Sequence, residues 1–318
     1  MNYRQLGTTG IQVSAIGFGA WGIGGVVKDS KAYGPTDDQV SLLALHKAFE
    51  EGITFYDTSP LYGYGHSEKL IGTAFKQIRH QVVLSSKVGY IDFSGKQDFT
   101  PGFIRNSLEE TLQRLQTDYL DVYQLHDPSI DYLETHPEVI QTLETLQQEG
   151  KIRVAGISLR TPADSLIAVT RFGFKSIQLN FSLVDQRALE LDIFGKCQAN
   201  GVGIIVRTPL CFGFLTGQYG AADQYQEGDH RKRWKPEQIS RWAEAYKLFV
   251  AELQHENQSN AQIALRYVLS HDAVSTTIPG MLTEEQVCEN AVAGCLDPYS
   301  ADILKRFFEI YNQHDFIA

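Results

Sequence analysis

Four ionisable side chains stand just beyond the ends of apolar runs, and together they form a set that can move a proton. Asp57 closes the run Gly52-Ile-Thr-Phe-Tyr-Asp57, and Tyr62 follows five residues later in Thr58-Ser-Pro-Leu-Tyr-Gly63. Lys87 sits in Ser85-Ser-Lys87-Val-Gly89, and His126 in Gln124-Leu-His126-Asp127. A parallel α/β barrel assembles its active site beyond the C-terminal ends of its strands, and these groups follow three different strand-like runs. Singly they say little: an Asp after a strand is commonly a turn cap, and a lone Lys is commonly solvated.

In this order the four residues resemble the catalytic tetrad of the aldo-keto reductase superfamily. The resemblance covers nearly the whole chain, from Tyr3-Arg-Gln-Leu-Gly7-Thr-Thr-Gly10 to Ile278-Pro279-Gly280 and Glu289-Asn290. It implies an NAD(P)H-dependent oxidoreductase that interconverts aldehydes or ketones and alcohols. Hydride would go to the carbonyl carbon while Tyr62 protonates the oxygen. A free phenol has a pKa of about 10, and acid catalysis is best served nearer neutrality. Lys87 would be the cation that favours phenolate, and Asp57 would hold and neutralise Lys87. His126 would orient the carbonyl and stabilise the developing oxyanion. Run in reverse, the same set oxidises an alcohol with tyrosinate as base. Trp21, Tyr62 and His126 are the implied substrate-facing residues, and Trp21, Tyr56, Tyr90 and the long loop 208–235 predict an aromatic-walled pocket.

The resemblance also implies NADP(H) or NAD(H) bound without a Rossmann fold. Gly17-Phe-Gly19-Ala-Trp-Gly22 matches G-x-G-x-x-G, but a dinucleotide fingerprint must open a helix, and the following Ile23-Gly-Gly25 and Gly34-Pro35 are loop-like. The implied cofactor residues are Asp57; Ser158 in Gly156-Ile-Ser158, with Gln178 as its partner at the carboxamide; Arg207; Thr208, Pro209, Leu210, Gly213 and Leu215 over the pyrophosphate; and Gly280, Gln286, Glu289 and Asn290 at the adenosine end. Three departures stand out. Leu159-Arg160 follow Ser158 where many relatives have Asn. Arg207 stands where many stack a Tyr on the nicotinamide, a task a planar guanidinium can share. Met281-Leu-Thr283 supplies no base for a 2′-phosphate. The run His230-Arg-Lys-Arg-Trp-Lys235 could supply that charge, bind an acidic substrate, or remain a solvated basic loop.

These groups need a scaffold that repeats. Strand-like runs begin near Ala15, Thr54, Val82, Leu120, Arg153, Ser176, Val202 and Ser275, with helical patterns between them. Eight alternating units predict a single (β/α)₈ TIM-barrel domain over residues 1–318. Residues 3–13 read as an N-terminal hairpin around Gly7-Thr-Thr-Gly10, and residues 208–235 as a long loop after strand 7. Residues 301–314 read as an extra C-terminal helix. Asp37–Glu51, with apolar Val40, Leu43 and Phe49, reads as a helix stopped at Gly52. Thr100-Pro101 opens another that keeps Ile104, Leu108, Leu112 and Leu115 on one face. Leu133–Glu149 ends at Gly150 in the same manner as the first.

Composition bounds the partners. The 318 residues are 43% hydrophobic, enough for one large core, and a net charge of −10 argues against a nucleic-acid partner. No signal pattern or apolar run of membrane-spanning length is present, so a cytoplasmic location is expected. The four cysteines form no C-x-x-C and the nine histidines no H-x-H or H-E-x-x-H, so no metal is expected. A small-molecule substrate and a monomer or small homo-oligomer are expected. Two rival functions stay open: an NAD-dependent sugar or polyol dehydrogenase, and a regulatory subunit that senses its cofactor. A phosphate-binding barrel of another superfamily leaves the Tyr–Lys–His set unexplained.

Overall fold

The computed structural model describes residues 1–220, 222–253 and 257–317. Eight parallel strands follow one another: β1 (Phe18–Gly19), β2 (Phe55–Asp57), β3 (Val83–Val88), β4 (Leu120–His126), β5 (Ile152–Ser158), β6 (Ser176–Asn180), β7 (Gly203–Arg207) and β8 (Val274–Thr277). Each pairs with the next, and parallel bridges from Ile16 to Thr277 and from Gly19 to Gly280 join the last to the first. The sheet therefore closes into the (β/α)₈ barrel. Closure needs glycine at residue 19, where a Cβ would stand 2.6 Å from the Ile278 carbonyl oxygen.

Strand periodicity sorts the interior into layers. Side chains two apart share a face, so Phe55, Val83, Val122, Val154 and Ile205 form one apolar floor. The antiparallel hairpin of Tyr3–Gln5 and Gln12–Ser14 adds Leu6, Ile11 and Val13 to this floor and plugs the barrel's N-terminal end. One step up each strand, the same phase brings Asp57, Ser85, Lys87, Gln124, His126, Ser158, Gln178 and Arg207 inward. The opposite phase, with Tyr56, Leu84, Tyr123, Leu125 and Ile157, packs against the helices.

The helices depart from expectation in two places. Asp37 caps Asp38–Glu50 by accepting from the Gln39 and Val40 amides, but the buried face is Ser41, Ala44, Leu45 and Ala48. Val40 and Leu43 point to solvent, 42% and 51% exposed. The small residues allow the helix to sit close to its neighbours, whereas the larger apolar ones do not. The single helix expected over Leu133–Glu149 is two, Ile130–Thr135 and Glu138–Gln148. Pro137 divides them, because it lacks an amide proton and forces His136 out of helical geometry. Thr100 caps Pro101–Leu115 as expected, with Ile104, Leu108, Leu112 and Leu115 buried.

The long loop after β7 carries short turns at Cys211–Thr216 and His230–Arg233; residue 221 within it lies outside the described residues. Its far end bridges to the loop after β1: the His230 amide donates to the Ala32 carbonyl at 3.0 Å, and the Ala32 amide to Gly228 at 3.2 Å. The last helix is Ala301–Gln313. No helix among the described residues is long and apolar enough to cross a membrane.

Candidate active site

Lys87 is fully buried at the centre of the barrel mouth. Its Nζ donates to Asp57 Oδ2 at 2.5 Å, to the Thr58 carbonyl at 2.9 Å and to the Tyr62 hydroxyl at 3.2 Å. Three acceptors match the three protons of an ammonium. Burial works against that charge, but Asp57 and Tyr62 outweigh it and hold the Lys87 pKa above its usual value. The other Asp57 oxygen accepts from Ser85 at 3.0 Å, Gln124 at 3.1 Å and Gln178 at 2.9 Å. The carboxylate is thus fixed from β3, β4 and β6 at once. Tyr62 reaches Lys87 from a tight loop: Gly63 has φ +59°, and a Cβ there would lie 2.1 Å from the Gly24 carbonyl oxygen.

His126 enters from the end of β4, where the Tyr90 ring meets its face edge-on at 4.8 Å. Burial above all, then the charges of Lys87, Arg207 and Arg160, press its pKa well below the usual 6.5. The imidazole is therefore neutral at neutral pH. Next to it, Asp127 accepts from the Tyr90 hydroxyl at 3.0 Å and pairs with Arg160 Nε at 2.8 Å. Arg160 also donates to the Tyr90 oxygen at 2.6 Å. Sequence reasoning missed Ser85, Gln124 and Asp127. The first two share the inward phase of Lys87 and His126, a signal that the alternation of polar residues along β3 and β4 carries.

These groups open into a cleft of about 950 Å³. Trp21, Asp57, Tyr62, His126, Ser158, Gln178, Arg207, Thr208, Pro209, Leu210, Gly213, Gly280, Gln286, Glu289 and Asn290 all line it. The Trp21 and Tyr62 rings stand 6.3 Å apart. Two expected residues lie elsewhere. Leu215 is fully buried in the core under the loop, and Tyr56 is fully buried on the helix side of β2, donating to Ile53. Its neighbours Phe55 and Asp57 take the inward phase, so Tyr56 must face outward.

The residues present fit a dinucleotide. Ser158 donates to Gln178 Oε1 at 3.1 Å, presenting a hydroxyl and an amide near the tetrad. Further along, Thr208, Cys211, Phe212 and Gly213 all take left-handed backbone angles. Such strain persists where the surroundings fix it, and turns of this kind make anion-binding concavities. At the far end, a Cβ built on Gly280 would meet nothing closer than 3.7 Å, which leaves room for a flat group. Among the described residues no cluster of His, Cys, Asp and Glu could hold a metal ion.

The basic run is mostly consumed by structure. Arg231 is buried and pairs with Asp229 at 2.7 Å, its guanidinium over the Tyr219, Tyr225 and Tyr33 rings. His230 is buried against Trp21, with ring centres 4.4 Å apart, and burial pushes its pKa to about 4. Lys232 and Arg233 are the exposed cations of the run that reach the cleft.

The family model of the aldo/keto reductases matches residues 15–312, and the chain belongs to that family. Its fold and its relatives make it an oxidoreductase of the type that converts carbonyl compounds with NAD(P)H. L-galactose dehydrogenase of Arabidopsis thaliana is 32% identical, over 91% of this chain and 87% of its own. The NADH-specific methylglyoxal reductase of Escherichia coli is 30% identical over 95% and 96%. Among solved structures, an aldo-keto reductase of Bacillus halodurans in its holo form superposes with a TM-score of 0.78, 31% identity and 99% coverage of both chains. A glycerol dehydrogenase of Gluconobacter oxydans gives 0.79 at 25% identity, over 99% and 97%.

Proposed function

We propose that residues 1–318 act as one barrel domain that reduces aldehydes and ketones, with Tyr62 as proton donor. One observation carries this reading: the Lys87 ammonium, clamped by Asp57 at 2.5 Å, donates to the Tyr62 hydroxyl at 3.2 Å. A cation against a phenol oxygen stabilises the phenolate left when the proton departs. Neutral His126 would donate to the carbonyl oxygen from the second side and stabilise the charge that develops there. Trp21 would form the wall that excludes water.

A reduced nicotinamide would supply the hydride. Ser158 and Gln178 would hold its carboxamide, Arg207 would lie against its ring, and residues 208–213 would enclose the pyrophosphate. Gly280, Gln286, Glu289 and Asn290 would receive the adenosine. The absence of a base in Met281-Leu-Thr283 and the carboxylate of Glu289 favour NADH over NADPH. The same features support a second reading, a sugar or polyol dehydrogenase working with NAD, and two of the relatives above bear dehydrogenase names. The four cysteines are unpaired, which suits a reducing cytoplasm.

The test is oxidation of NADPH, and separately NADH, with 4-nitrobenzaldehyde, by native protein and Tyr62→Phe. Turnover that collapses in the variant supports the reading, and the faster cofactor decides the preference. Faster oxidation of galactose or glycerol with NAD favours the dehydrogenase. Absence of all turnover sinks both.

A further inference from the structure

Three guanidiniums crowd one side of the cleft. Arg207 projects from the end of β7, Arg160 from the loop after β5 and Arg233 from the loop over the mouth. Asp127 stands among them and is already taken by Arg160. Arg207 donates one N–H to the Leu159 carbonyl at 3.1 Å, and its buried Nε meets no acceptor. Arg233 rests on the Trp234 ring at 4.2 Å, and no carboxylate of the described residues pairs with it.

The crowding has an electrostatic cost. Burial above all lowers the Arg207 pKa, with Tyr62 and Asp127 opposing and Arg160 adding to it; Arg233 is lowered by its partly covered position and by both other arginines, with Tyr33 opposing. A chain with a net charge of −10 nevertheless gathers these cations at one spot. Like charges held together are relieved by an anion, and a guanidinium fork matches carboxylate or phosphate oxygens in pairs.

The position decides which anion. Arg207 interacts electrostatically with both Tyr62 and His126, the groups that would face the carbonyl. Arg207 ends β7 on the barrel's inner face, as His126 ends β4, so the cationic wall starts at the reacting end of the cleft, and Arg233 lines the same cleft. We propose that the substrate carries a carboxylate or phosphate a few carbons from its carbonyl, and that Arg233, aided by the nearby charge of Arg207 against the nicotinamide, holds this group beside Tyr62 and His126. The proposal rests on the reductase reading above and names its substrate class. Arg160, tied to Asp127 and Tyr90, is the outer wall that keeps the anion against the other two.

The experiment compares matched substrates: 4-carboxybenzaldehyde against benzaldehyde, and glyceraldehyde 3-phosphate against glyceraldehyde. Native protein is expected to favour the charged member by about tenfold or more in kcat/KM, as paired charge-assisted hydrogen bonds would give. The pair with the larger ratio tells carboxylate from phosphate. In Arg233→Met the ratio is expected to fall towards one. A native ratio at or below one overturns the proposal. So does a ratio unchanged in both Arg233→Met and Arg207→Met; a cofactor Kd that rises at the same time would mean that the arginines serve the cofactor instead. If no aldehyde turns over, the reductase reading has failed on its own, and titration of tryptophan fluorescence with benzoate and with inorganic phosphate still decides. Saturable quenching that Arg233→Met abolishes upholds the anion site, and no quenching rejects it.

Discussion

Gln178 holds Asp57 from across the barrel: its amide nitrogen donates to the carboxylate at 2.9 Å, while its oxygen accepts from Ser158. One side chain therefore ties the group that balances Lys87 to Ser158, the residue proposed to meet the nicotinamide. Gln178→Ala is expected to lower kcat and to weaken cofactor binding together, each by about tenfold, the scale of one or two lost hydrogen bonds. Steady-state kinetics with a fluorescence titration of the cofactor checks this. A change in only one of the two would mean that the tie is incidental.

Lys87→Met is expected to do more than remove the cation beside Tyr62. It leaves Asp57 buried without its counter-charge, which costs about 3–5 kcal/mol when one partner of a buried pair is lost. The thermal midpoint should fall by several degrees. The double change Lys87→Met with Asp57→Leu should recover stability without recovering activity. Calorimetry of the three variants separates the structural from the chemical role.

Acid should destabilise the fold through its histidines. His126 is held well below 6.5, and burial pushes His230 and His271 to about 4. The unfolded chain takes up protons at about 6.5 while the folded chain does not. Stability from these groups is complete above that pH and declines as pH falls towards the folded values. Melting curves from pH 7 to pH 4 should show the decline, and His271→Phe should flatten it. The kcat profile should meanwhile show no loss near pH 6.5 from His126, since it has no proton to gain there.

Gly24→Ala tests how closely the loops hold Tyr62. A Cβ at residue 24 would stand 2.8 Å from the Tyr62 backbone carbon. The expected result is a displaced phenol: kcat falls by about tenfold or more, since small misplacements at the reacting centre are costly, while cofactor affinity stays. An unchanged kcat would mean that the loop relaxes freely.

How much of this was legible in the sequence follows from strand phase. Lys87 and His126 stand out because apolar runs lead into them, and the eight-fold alternation was visible for the same reason. Ser85 and Gln124 share their face, yet a serine and a glutamine in a strand look unremarkable until Asp57 is seen between them. Tyr56 is aromatic like the cleft residues, but it stands one residue from Asp57 and so takes the helix-facing phase of β2. Val40 and Leu43 misled because the close packing of helix Asp38–Glu50 uses alanine and serine. Leu215 lies beneath its loop, and Arg231 is spent on Asp229, because loop backbone turns have no period to count.

The seam of the barrel lies where Gly19 meets Gly280, and both residues also line the cleft. A chain without β8 has no seam, and so no complete cleft. A ligand that spans the cleft binds only closed barrels and stabilises that closure by mass action. Such a ligand would protect the closed barrel, and not one that lacks its last strand, from proteolysis.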